Sequence, residues 1–237
     1  SDVDPISKYA PDNFYSLRKE ISIKPKDILD NIEKTHFYQE EPYSGLFING
    51  YSKLYEQAKS DGFRVFIDAN GLDEFFLGYS KYRKKHPYKL QFTSIDDSYK
   101  GSKFLSSEFE KEYLIREENK VFKDPRNLAM HDLLYYKIPR ALRFNDKVSM
   151  QNSIELRVPF LDHRILKASM MFSNLELQNE SIGKIPLRHI LSRNSNKEFA
   201  FNKKNHIQSS QSAWLGNELH EFVSDLLLEG WLIKNHI

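Results

Sequence analysis

Cysteine is absent from the 237 residues, which excludes disulfide staples, thiolate catalysis and Cys-ligated zinc and fits a reducing compartment, the cytoplasm by default. No apolar run approaches the roughly 20 residues that cross a bilayer. The amino-terminal stretch also lacks a basic segment leading into an apolar one, so a soluble chain with no membrane partner is expected. An excess of one charge is missing too: 35 Lys and Arg against 33 Asp and Glu leave +2, which gives no overall field for nucleic acid. Internal repeats and low-complexity tracts are lacking. The eight histidines show no H-E-x-x-H or other paired spacing that would hold zinc. What is present is 40% hydrophobic and 14% aromatic, enough for one sizeable core or two small ones.

Glu20-Ile21-Ser22-Ile23 reads as a short strand closed by Lys24-Pro25. A helix opens at Pro25 and carries Ile28, Leu29 and Ile32 at helical spacing until Glu40-Glu41-Pro42 ends it. Ser44 can cap a second helix with an apolar stripe of Phe47, Tyr51, Leu54, Tyr55 and Ala58, stopped by Asp61-Gly62. Val65-Phe66-Ile67 then reads as a buried strand of a parallel sheet, because its apolar residues follow one another without alternation. Everything after Asp73 reads as helix or loop. Asp124-Pro125 opens one helix, Asp162 caps another with Ile165, Leu166, Met170 and Met171, and a further helix follows Lys184. The run from Trp214 to Leu227 is strongly amphipathic, and the polar stretches 92–107 and 193–212 are expected loops. Two early strands are too few to cover helices on both faces, so either strands lie outside this stretch, the favoured reading, or the chain holds more strands than its pattern displays.

The most informative segment is Ile67-Asp68-Ala69-Asn70-Gly71-Leu72-Asp73-Glu74: a strand exit, a glycine turn and an acidic pair opening a helix. Ligands of open α/β sheets sit beyond the carboxyl ends of strands, where this turn lies. Helix-start amides favour an anion, and a carboxylate beside them tolerates phosphate only with a divalent cation between the two. Asp73 is therefore either a Mg²⁺-pyrophosphate anchor or, with Glu74, a plain complement to the helix dipole. A calcium loop fits poorly, since Leu72 stands where a ligand is needed. A second segment, Ser149 to Arg164, alternates ionisable and apolar residues through Glu155 and Arg157. These two can form a structural ion pair in a partly desolvated setting. The basic run from Lys81 to His86 reads as a solvated face, and His163 as a helper in capping its helix.

Phe66 through Tyr79 resembles the asparagine synthase family's segment S/D-G-x-G-x-D-E-x-F-x-G-Y, and Ser149 through Asp162 resembles its S-M-x-x-S-x-E-x-R-x-P-F-L-D signature. Glu40-Glu41-Pro42, Pro139 to Lys147, Gly183 to Arg188, and Lys204 with Trp214-Leu215 resemble further elements of the family in the same order. Several motifs in sequence order are specific where one would be weak. The resemblance implies an α/β fold: the remnant of an adenine nucleotide alpha hydrolase-like parallel sheet in 1–80, followed by a largely helical part in 81–237. It implies an ATP-dependent ligase with Mg²⁺ that activates a carboxylate such as aspartate as an acyl-adenylate and amidates it with ammonia from glutamine. Under it, Asp73 is the metal-pyrophosphate ligand and Lys184 a cation neutralising charge on the phosphates or on the adenylate's tetrahedral intermediate. Asp68, Ala69 and Gly71 line the nucleotide, while Tyr79 and Glu74 lie on the substrate side.

Departures accompany the resemblance. Ala69 and Leu77 stand where the family has Gly, Asn202 where Arg is common, and His206-Ile207 where Gly-Phe is usual. Asn70 occupies a place where the family often has Glu, and Asn cannot take the proton that the ammonia step releases. The S-G-G-x-D-S loop and the glutaminase domain with its leading Cys are not in this sequence. The expectation is an amino-terminally truncated synthetase domain that alone binds ATP poorly and turns over nothing. A non-catalytic member with a binding or scaffolding role, a ligase acting on a sugar acid, and one closing a ring amide stay open as alternatives, as does the oligomeric state.

Overall fold

The computed structural model describes residues 19–43, 45–83, 88–89, 121–194, 197–202 and 211–229. It divides into two compact units, each assembled from separated stretches. One comprises Ser1–Asp68, Arg140–Pro159 and Asn202–Ile237; the other comprises Ala69–Pro139 and Phe160–Phe201. Among the described residues no helix is long and apolar enough to cross a membrane.

In the first unit, helix α1 (Pro25–Gln39) starts as its sequence dictates, with Pro at the first position and Asp27 folding back to the Lys24 amide at 2.7 Å. It ends where Glu40 turns left-handed at φ 57. Lys147 fastens that end, its ammonium bonding the Gln39 carbonyl and pairing with Glu40 at 3.3 Å. Helix α2 (Phe47–Ser60) has Leu46 rather than Ser44 at its N-cap position, Ser44 lying outside the described residues. Residues 20–23 do not form the expected strand. Ile23 instead fills the space above Gly50 of α2, and the Ser22 carbonyl accepts from Lys53 at 2.9 Å.

Strand β1 (Val65–Ile67) follows, and its partner is β4 (Glu155–Arg157), running parallel with Phe66 opposite Leu156. That strand corrects the expectation of helix or loop throughout the later part. Helix α5 (Lys137–Met150), in a stretch read without further detail as helix or loop, delivers the chain to β4. The core of this unit gathers Ile48, Tyr55, Ala58, Phe144, Val148 and Ile154, with Phe66 and Leu156 packed on it. The outer face of the sheet stays open: Ile67 is 68% exposed, so β1 is not the strand covered on both faces that its apolar run suggested. The run from Trp214 also resolves into two helices, α10 (Gln211–Gly216) and α11 (His220–Glu229), with Leu219 buried in the turn between them.

In the second unit, a one-turn helix α3 (Leu72–Phe75) leads to a 3-10 turn (Ser80–Tyr82). Two-residue strands β2 (Tyr88–Lys89) and β3 (Val121–Phe122) pair antiparallel. Asp124 caps α4 (Pro125–Leu134) by accepting from Arg126 N, and Asp162 caps α6 (His163–Met170) by accepting from Arg164 N, as expected. Short helix α7 (Asn174–Leu177) precedes α8 (Ile185–Asn194), while α9 (Lys197–Phe201) occupies part of an expected loop. Residues 92–107 lie outside the described residues. The core holds Phe75, Leu77, Tyr82, Leu128, Leu133 and Leu177.

Candidate functional site

The strand exit closes with Asp68 N donating to the Arg157 carbonyl at 2.8 Å, and the chain then passes through an exposed Ala69 and a half-buried Asn70 to Gly71. Gly71 stands at φ +98, a conformation that favours glycine, and a Cβ there would lie 2.3 Å from the end of the Leu161 side chain, which would have to move aside. Helix α3 is one turn long because Leu77 goes left-handed at φ 50 and Gly78 N reaches back to the Asp73 carbonyl at 2.7 Å. The backbone of Gly78 thereby lies against the Asp73 side chain.

A second tight turn brings the lysine. Gln178 and Gly183 form an antiparallel bridge, and Lys184 sits left-handed at φ 59 with its N–H donated to the Phe76 carbonyl at 2.9 Å. Lys184 Nζ lies 2.9 Å from Asp73 Oδ1, the two side chains being 24% and 19% exposed. A Cβ on Gly78 would fall 2.0 Å from Asp73 Oδ1 and 2.5 Å from Lys184 Cε. The missing methyl is therefore the space in which this ion pair forms. Left-handed backbone at a bulky residue costs about 1–3 kcal/mol and persists where surrounding structure holds it.

More positive charge gathers here. Arg83 donates to the Gly78 carbonyl at 3.1 Å and Arg188 to the Gly183 carbonyl at 2.9 Å. Burial lowers the pKa of both guanidinium groups, and both sense Asp73, which favours their charge. Such an arrangement suits an anion of more than one negative charge.

Glu74, next along α3, is 4% exposed. Burial raises its pKa, against the opposing charge of Lys137. Lys137 Nζ stands 3.6 Å from Glu74 Oε1 and 3.2 Å from the centroid of the Tyr79 ring. Beside them Asp132 is fully buried, accepting from Tyr82 OH at 2.6 Å and paired with Lys81 at 2.5 Å. Lys81 thus serves a buried carboxylate rather than the solvated face expected of it.

The residues fit one kind of metal. Among the described residues no three His, Cys, Asp or Glu side chains converge as a ligand group, so a protein-built cage is not on offer. Mg²⁺, however, is commonly held by one or two carboxylates with substrate phosphates and water supplying the rest. The Asp73 carboxylate, seated in the cradle that a Cβ on Gly78 would fill, matches that requirement.

Of the residues singled out in the sequence, Gly71, Asp73, Glu74, Tyr79 and Lys184 come together in the second unit, with Ala69 and Asn70 in the turn leading to them. Asp68, Glu155 and Arg157 belong to the first unit. Arg157 Nε does donate to Glu155 Oε1, at 2.9 Å, but the side chains are 61% and 59% exposed, so the partly desolvated setting expected for them is not found. Sequence reasoning missed Lys137, Arg83 and the buried Asp132. One signal was available: Lys137 opens α5, where a cation opposes the helix dipole.

The family model described as asparagine synthase matches residues 5–234. A Methanocaldococcus jannaschii protein named "Putative asparagine synthetase (glutamine-hydrolyzing) 1" is 27% identical over 145 residues, which is 61% of this chain and 18% of that protein. The chain therefore matches less than a fifth of the length of this relative.

Proposed function

This chain belongs to the asparagine synthase family, and on that premise we propose that it serves an ATP-dependent ligase that activates a carboxylate as its acyl-adenylate and converts it to an amide. The observation carrying the reading is the contact of Lys184 with Asp73 at 2.9 Å, beside Arg83 and Arg188. A carboxylate is a poor acyl donor, whereas its anhydride with AMP expels a good leaving group. Charge developing on the departing diphosphate needs fixed cations, the role proposed for Lys184. Asp73 would hold Mg²⁺, which when bound neutralises phosphate oxygens. Gly71, with Asp68 and Ala69, would line the nucleotide, and Tyr79 with Glu74 the acyl side. In the same proposal β1 and β4 belong to an adenine nucleotide alpha hydrolase-like sheet. The amine is ammonia released from glutamine by a glutaminase domain, the carboxylate is aspartate or a sugar acid, and the setting is the cytoplasm.

The test is carboxylate-dependent exchange of labelled pyrophosphate into ATP by the full-length gene product, with aspartate and glucuronate as probes. Asp73→Asn and Lys184→Met are expected to lower exchange at least 100-fold, about the effect of removing one transition-state donor. Exchange persisting within fivefold of the parent in both variants would sink the assignment.

A further inference from the structure

Lys137 takes no part in the scheme above, yet its surroundings are unusual for a lysine. It opens α5, its side chain is 25% exposed, and its nearest carboxylate oxygen, Glu74 Oε1, lies at 3.6 Å, beyond hydrogen-bond distance. The other lysines of the cluster are held differently: Lys184 pairs with Asp73 at 2.9 Å and Lys81 with Asp132 at 2.5 Å. Glu74 Oε1 is itself buried with no hydrogen-bond partner. Lys137 thus has both a carboxylate and the face of the Tyr79 ring as close neighbours, with no hydrogen bond to that carboxylate.

Amide formation from an acyl-adenylate must dispose of a proton, because the nitrogen that attacks is neutral and becomes cationic as the C–N bond forms. Asn70 has no basic atom to receive it. Asp73 is committed to Lys184, and the guanidinium groups of Arg83 and Arg188 stay protonated at any physiological pH. We propose, building on the ligase reading, that Lys137 is the proton acceptor of the amide-forming step and that Glu74 holds the ammonium that results. The nitrogen lone pair forms the C–N bond, and the C–O bond to the AMP phosphate breaks with its electrons leaving on AMP. One N–H proton passes to the neutral Lys137 amine, which later returns it to water.

Electrostatics agree with that role. Burial pushes Lys137 down to about 8, with Lys81 repelling it and Glu74, Asp73 and Asp132 pulling the other way. A base that titrates near the working pH is the efficient kind. Lys137 also lies 3.2 Å from the centroid of the Tyr79 ring.

The test compares the full-length gene product with its Lys137→Met and Lys137→Arg forms. Three rates are measured with MgATP and the better of aspartate and glucuronate: pyrophosphate exchange, amide formation from ammonia, and hydroxamate formation from hydroxylamine, which attacks without help from a base. Both variants should lose amide formation 100-fold or more while exchange and hydroxamate formation stay within threefold. Parallel loss of all three rates would reveal a structural role and overturn the proposal, as would amide formation that falls less than tenfold. Failure of the unsubstituted protein to exchange with either acid would remove the ligase reading itself, and Lys137's role with it. A second readout needs no turnover: competitive acetylation across pH should give Lys137 a midpoint near 8, and a midpoint at the ordinary 10.5 would overturn the assignment.

Discussion

Replacing Gly183 with alanine should destabilise the fold, and by more than the same change at Gly62. An ideal Cβ at Gly183 would lie 2.1 Å from the Leu77 carbonyl oxygen and 3.0 Å from Gly78 Cα. Both neighbours are backbone, so no side chain can swing aside. Relief requires the turn carrying Lys184 to withdraw from the one carrying Leu77, and the Lys184 N–H bond to Phe76 O at 2.9 Å resists that. Overpacking of this kind costs about 1–3 kcal/mol, and the backbone overlap puts Gly183→Ala at the upper end. For a chain of this size about 3 kcal/mol lowers Tm by roughly 6–12 °C. Gly62→Ala is the control, since Gly62 has φ +87 but nothing within 4 Å of its Cβ position. That substitution isolates left-handed strain, about 1–2 kcal/mol. Calorimetry and urea titration of both variants decide the matter. If Gly183→Ala melts no lower than Gly62→Ala, the close approach of the two turns is not what the contact geometry says.

Two further outcomes follow from individual contacts. Tyr82→Phe removes a hydroxyl that is fully buried and donates to Asp132 at 2.6 Å; urea unfolding should show a loss of about 1–3 kcal/mol, and a loss under 0.5 kcal/mol would mean that Lys81 alone satisfies the carboxylate. Asp162 is held below its ordinary 3.8 by the Arg164 side chain, then by the Arg164 amide. A lowered carboxylate stabilises the folded chain above its unfolded pKa and loses that contribution as pH falls through the folded one. Asp162→Asn, which keeps a capping oxygen, should therefore flatten the decline of the urea midpoint below about pH 4; an unchanged acid limb would dismiss the linkage.

Helix starts were readable because their determinants are local. Pro25, Asp124-Pro125 and Asp162 each act within one turn, so the residues that begin a helix lie beside the ones they cap. β4 was not readable, since a three-residue strand has no period of its own and exists through pairing with β1, far away in the sequence. The Glu20–Ile23 segment shows the converse: its residues favour a strand, yet no described strand pairs with it, and Ile23 lies against Gly50 of α2 instead. At the candidate site, the turn from Asp68 to Glu74 declared itself through its glycine and paired acids. Lys184 entered only through resemblance, because nothing in its own neighbourhood points at Asp73. Lys137 offered only its place at the start of α5 as a signal, because the rest of its character comes from burial beside Glu74 and Tyr79 rather than from its neighbours in the chain.

The interleaving of the two compact units has a practical outcome. Successive stretches alternate between them, with junctions at 68/69, 139/140, 159/160 and 201/202, and the junction at 139/140 lies inside the continuous helix α5. No single scission frees either half with its core whole: a piece ending at Pro139 would carry β1 but leave behind β4, Val148 and Ile154. Attempts to express one unit in isolation should therefore splice its separated stretches together rather than truncate the gene.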